Sequence, residues 1–126
     1  MATKIDVALT VKENPLGQGN TPGGSYDYKF DPDNVHVTEA DTEIVYRLVE
    51  EDRERFAIEH IYTTDVIDQL GTPTRSDDKT QISVVHKNTR RILIVVSLRV
   101  SDRKKGCDLG CDPQVTNDPP PVLGGG

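Results

Sequence analysis

Apolar and polar residues alternate with a period of two along most of this chain, the pattern of β-strands with one buried face. Ile5, Val7, Leu9 and Val11 alternate with Lys4, Asp6, Ala8 and Thr10, and Tyr26, Tyr28 and Phe30 are separated by Asp27 and Lys29. Val35 and Val37 flank His36, and Ile44, Tyr46 and Leu48 alternate with Glu43, Val45 and Arg47. Further strands are expected over 56–62, 82–86 and 92–100. Residues 87–90 are expected to turn the last two into a hairpin. The 92–100 strand is the most apolar and is expected to be central.

Between the strands lie a Gly/Pro/Asn-rich loop over 14–24, the turn Asp31-Pro32-Asp33-Asn34 and a charged turn over 50–55. Thr64, the early acids after it and Gly71 carry helix start and stop signals, so one short helix is expected there. Residues 39–60 also hold Ile44, Val45, Leu48 and Val49 at helical spacing, which would make the fold α+β. The β-forming side chains of Thr42, Ile44, Val45, Tyr46 and Val49 favour strands instead. The expectation is therefore an all-β, two-sheet antiparallel sandwich of about seven strands with one short helix, immunoglobulin-like or cupredoxin-like. Residues 1–117 form its single domain, and 118–126 form a Pro/Gly-rich tail that cannot join a central ladder because proline lacks the amide hydrogen.

Composition narrows the function more than it defines it. The 126 residues carry a formal charge of −6, which argues against a nucleic-acid partner, since phosphate binding needs a basic stripe. No stretch approaches the ~20 apolar residues of a transmembrane helix, so no membrane partner is expected. No secretory signal is visible at the N-terminus, which suggests a cytoplasmic protein or one that begins after a removed signal. The sequence has no G-x-S-x-G elbow, no H-E-x-x-H pair and no phosphate-binding P-loop, so an enzyme is the less favoured reading.

Candidate chemistry gathers near the C-terminus, where Cys107 and Cys111 are the two cysteines of the chain. There the strand pattern is expected to have given way to a tight turn. The two thiolates could join His60 and His86 around zinc. They could instead close a small disulfide across Gly110, or remain free thiols. His60 is in phase with Phe56, Ile58 and Tyr62, and His86 with Ile82 and Val84, so both are expected on apolar faces, either as a metal-binding or general-base pair or as hydrogen-bonded rim or core residues. His36 is out of phase and expected to be exposed. Asp108, Asp112 and Asp118 could hold calcium, which takes six to eight oxygens.

The run from Tyr28 through Phe30, Pro32, Val35 and Val37 to Asp41, Ile44 and Tyr46 resembles the opening of cupredoxin-like sandwiches. That resemblance implies a sandwich of this kind without blue copper, because no His or Met follows Cys107. The tail Cys111-Asp112-Pro113-Gln114-Val115-Thr116-Asn117-Asp118-Pro119, with the chain length, resembles the small bacterial DP-EP family, although Asp118-Pro119 stands where a Glu-Pro belongs. That resemblance implies a fold and no assigned activity.

These readings converge on a small, non-enzymatic binding or accessory module. Its surface would lie where the 107–118 segment, with Asp108, Asp112, Asn117 and Asp118, meets the 61–79 loop. Its partner would be an unknown protein or small ligand. Metal binding is the alternative function. Pairing through an exposed sheet edge over residues 4–11 would make a homodimer. A hydrolase would need a pocket in which a histidine stands beside a carboxylate or hydroxyl.

Overall fold

The alternating segments form strands in a computed structural model, which describes residues 3–64, 69–92 and 94–120. The described residues hold ten strands: β1 (Lys4–Glu13), β2 (Tyr26–Asp31), β3 (Asn34–Val37), β4 (Thr42–Leu48), β5 (Phe56–Thr63), β6 (Thr74–Arg75), β7 (Gln81–His86), β8 (Val96–Asp102), β9 (Cys107–Cys111) and β10 (Gln114–Asn117). One sheet has the order β2-β1-β4-β7-β6, a second has β5-β8-β9, and β10 pairs with β3. The one helical element among the described residues is a 3-10 turn over Glu50–Asp52. Residues 65–68, on which the expected short helix falls, lie outside the described residues. No described helix is long and apolar enough to cross a membrane. The ambiguous 39–60 stretch is resolved as β4, the 3-10 turn and the start of β5.

Inward-facing side chains of the sheets make one core. Val7, Leu9 and Val11 of β1 and Ile44, Tyr46 and Leu48 of β4 belong to the same buried cluster as Ile58, Leu98 and Val100 of the β5-β8-β9 sheet. Tyr26 and Phe56 meet edge-on across the layers with ring centroids 6.0 Å apart, an arrangement that aligns ring edge with ring face.

Two expectations need correction. Residues 82–86 and 92–100 do not form a hairpin: β7 pairs with β4 and β6, whereas β8 pairs with β5 and β9. The intervening chain crosses between sheets, and Asn88, at φ +55°, is buried there rather than at an exposed tip. The β-pattern does not stop before Cys107, because 107–111 is the strand β9 and the tight turn falls earlier, at Gly106 with φ +67°. β1 lies between β2 and β4, with residues 4–9 paired to β4 and 8–13 to β2, so residues 4–7 pair with one neighbour among the described strands. Asp118, the first residue of the expected tail, donates its amide to the Val37 carbonyl.

The Tyr46 side chain is fully buried, and its hydroxyl has no hydrogen-bond partner among the described residues. Burial alone pushes its phenol pKa far up. A buried hydroxyl left unsatisfied costs about 1–3 kcal/mol. Tyr46→Phe is therefore expected to raise stability by about 1 kcal/mol in urea unfolding. A loss of stability would show that the hydroxyl is satisfied in solution.

Candidate functional site

Proline sets the geometry of one corner of the sandwich. β9 runs into β10 through Asp112-Pro113, and β2 runs into β3 through Pro32, so both runs change sheet at a residue that cannot donate to a ladder. The β8–β9 ladder holds Leu98 against Cys111. Continued in that register, Val96 would face Pro113 and Ile94 would face Val115, yet β8 and β10 share no ladder. A groove of about 370 Å³ opens instead, lined by 94–96 on one side and 112–116 on the other. Its walls are mainly apolar, and Val95 is 53% exposed beside it. The 94–96 wall is held from behind, since Thr64 N–H donates to the Val95 carbonyl and Val95 N–H donates to Thr64 Oγ1.

The β3–β10 pair carries a polar constellation on its outer side. The parallel register sets His36 beside Thr116, and Asp118 follows Thr116 by the two residues that return to the same face. His36 Nδ1 lies 2.7 Å from Thr116 Oγ1, and Nε2 lies 3.0 Å from Asp118 Oδ2. An N–H at Nε2 donating to the carboxylate leaves Nδ1 to accept from the threonine hydroxyl. Arg91 Nη2 binds the other Asp118 oxygen at 2.9 Å, and Asn34 Nδ2 lies 3.5 Å from Thr116 Oγ1. Thr116 also lines the groove. This is the histidine beside a hydroxyl and a carboxylate that the sequence does not reveal, because the parallel pairing joins residues 80 positions apart.

No family model matches this chain, and no curated protein is significantly similar to it.

The opposite end of β8 holds a second cluster, built on buried Asp102. Its carboxylate accepts from Tyr26 Oη at 2.6 Å and from Arg55 Nε and Nη2 at 3.1 and 2.8 Å, while the Lys104 and Lys105 amides cap it. Arg55, followed by Tyr26 and the two amides, holds this carboxyl well below the usual range despite its burial. Burial and the adjacent Asp102 push the Tyr26 phenol far up. Glu13 completes the network through Arg55 at 2.9 Å and through Lys105. These groups satisfy one another, so the cluster is a clamp between β1, β2 and the β8–β9 turn. The phase of Asp102 with Val96, Leu98 and Val100 was the sequence signal for an inward-facing acid.

The residues expected to form a metal site are spread over the sandwich. His86 is buried in β7, where its Nδ1 accepts from the Asn88 amide at 3.0 Å. His60 is exposed, contrary to its sequence phase. A β-bulge between Ile58 and His60 reverses the alternation, so His60 stands beside Tyr62 with ring centroids 4.8 Å apart. Cys111 is fully buried, and burial pushes its thiol up to about 12. Cys107 is exposed at the Asp102 end, 3.1 Å from Tyr26 Oη. Four steps along extended strand separate the two cysteines by about 13 Å, beyond the ~7 Å Cα limit for a disulfide. The disulfide expectation is thus overturned, and both thiols are free.

The acids and Asn117 are also separated by strand geometry. Asp108 is exposed and paired with Arg99 at 3.3 Å, beside a shallow groove of about 260 Å³ that Tyr62 and Gly110 share. Asp112 stands at the corner groove, six residues from Asp118. Asn117 is buried and ties the crossing chain down: its Nδ2 donates to Asn88 Oδ1 and the Arg90 carbonyl, and its Oδ1 accepts from the Ile92 amide. Among the described residues no group of three or more His, Cys, Asp or Glu side chains is arranged to hold a metal ion.

Two measurements test this description. Asp102→Asn is expected to cost about 3 kcal/mol at pH 7, as breaking a buried ion pair does. Because the folded-state pKa of Asp102 is lowered, its contribution is complete above the unfolded aspartate value of about 3.9. The difference between wild type and variant should shrink as pH falls below about 4 in urea unfolding; a constant difference would remove Asp102 as the titrating group. Iodoacetamide should add one group to the native protein, at Cys107, and two after denaturation. Rapid native labelling of Cys111 would contradict its burial.

Proposed function

We propose that this protein is a small binding or accessory module that takes its ligand in the corner groove between 94–96 and 112–116. The observation behind the reading is the interrupted ladder: proline prevents β10 from closing on the β8 extension and leaves an apolar slot beside strand-like backbone. Such a slot suits an extended peptide segment with an apolar anchor side chain, and Asp112 at the groove favours a basic neighbour on that peptide. The Asp112-Pro113 pair behind the DP-EP resemblance lines this groove.

The test is a ¹⁵N chemical-shift titration with the blocked tripeptide acetyl-Lys-Leu-Val-methylamide up to ~1 mM, the affinity range of about −4 kcal/mol. Shifts should concentrate at 94–96 and 112–116 and disappear in Val95→Asp, an exposed position whose replacement leaves the core intact. Saturable shifts elsewhere, or none, would sink this reading.

A further inference from the structure

We infer that Thr116, His36 and Asp118 form an acyl-transfer centre at the rim of the corner groove, acting on esters with a small apolar acyl group. The inference goes beyond ligand binding and takes from the binding reading only the groove as the place for the acyl chain. It stands on three observations. The hydroxyl, imidazole and carboxylate are linked in the order that activates an oxygen nucleophile, at 2.7 and 3.0 Å. The carboxylate is itself oriented by Arg91 at 2.9 Å. The nucleophile's own residue lines an apolar groove of about 370 Å³, large enough for a short acyl chain.

The roles follow from the bonding. Asp118 is a positioning residue: by accepting the Nε2 hydrogen it fixes the tautomer in which Nδ1 is the base. The Thr116 Oγ–H proton passes to His36 Nδ1 as Oγ bonds to the acyl carbon. The carbonyl oxygen becomes an oxyanion near Asn34 Nδ2, which is 3.5 Å from Oγ1 in the unliganded geometry. Collapse re-forms the carbonyl and breaks the bond to the leaving oxygen, which takes the proton from His36 and departs as the alcohol. Water then gives a proton to Nδ1 while its oxygen attacks the acyl carbon. Release of the carboxylic acid returns the proton to Thr116 Oγ. No oxidant, metal or co-reactant besides water enters the balance.

The nucleophile sits on regular strand with its register partner beside it, which gives the test clean variants. His36 and Thr116 are both exposed, so their replacement does not open the core. Incubation with p-nitrophenyl butyrate, followed by intact-mass measurement and peptide mapping, should place one butyryl group on Thr116. Its rate of appearance should fall about a hundredfold or more in His36→Gln, the usual contribution of a general base. Thr116→Ser should retain or raise the rate, and Thr116→Val should abolish the adduct at that position. Asp118→Asn should lower the acylation rate constant without changing the ester concentration at half saturation. Butyrylation confined to lysines, or an adduct at Thr116 that forms equally fast in His36→Gln, would overturn the assignment. Thr116 acylation with no peptide binding would overturn only the peptide reading; peptide binding with no His36-dependent acylation would overturn only this one.

Discussion

Two prolines, Pro32 and Pro113, constrain the molecule more than any single polar contact. Each stands where an extended run would otherwise continue in its sheet, and neither has an amide hydrogen to give to the next ladder. The run 26–37 leaves the β1 side at Pro32, and the run 107–117 leaves β8 at Pro113. Having left their partners, the two freed segments pair with each other in parallel. The groove between 94–96 and 112–116 and the contact of His36 with Thr116 both follow from that exchange of partners.

The other end of β8 is organised by charge rather than by backbone. Asp102 continues the inward row of Val96, Leu98 and Val100 but reaches the sandwich mouth, where Arg55 and Tyr26 enclose it. A carboxylate in that position is tolerated because every direction from it meets a donor. Glu13 neutralises the far side of Arg55, so the ends of β1 and β2 are held to the β8–β9 turn. The prolines leave one end open while the ionic clamp shuts the other. At the open corner, ligand-sized space lies beside the linked side chains of His36, Thr116 and Asp118.

The cysteines show how a local pattern misleads when its backbone is misjudged. Cys107, Gly110 and Cys111 read as a turn because glycine and aspartate cluster there, and a turn would have brought the thiols together. The segment is instead an edge strand paired to β8, stretched to full length, with one thiol buried and one exposed. His60 misleads for a related reason. Its phase with Phe56 and Ile58 is correct until one extra residue, Glu59, is accommodated in a bulge that turns the ring outward.

The sequence alone determined the all-β class, the placing of most strands and the identity of most core residues, because side-chain alternation is a local property written directly in residue order. It also carried the inward phase of His86 and Asp102 and the inability of Pro113 to extend a ladder. Tertiary structure decided which strands are neighbours: that β7 and β8 lie in different sheets, that β3 meets β10, and hence that His36 lies between Thr116 and Asp118. Pairing between strands is a contest among many edges of similar hydrophobic pattern, and the winner is set by the packing of the whole sandwich. The core was therefore largely legible in the chain, whereas the candidate site, assembled from residues far apart in sequence, was not.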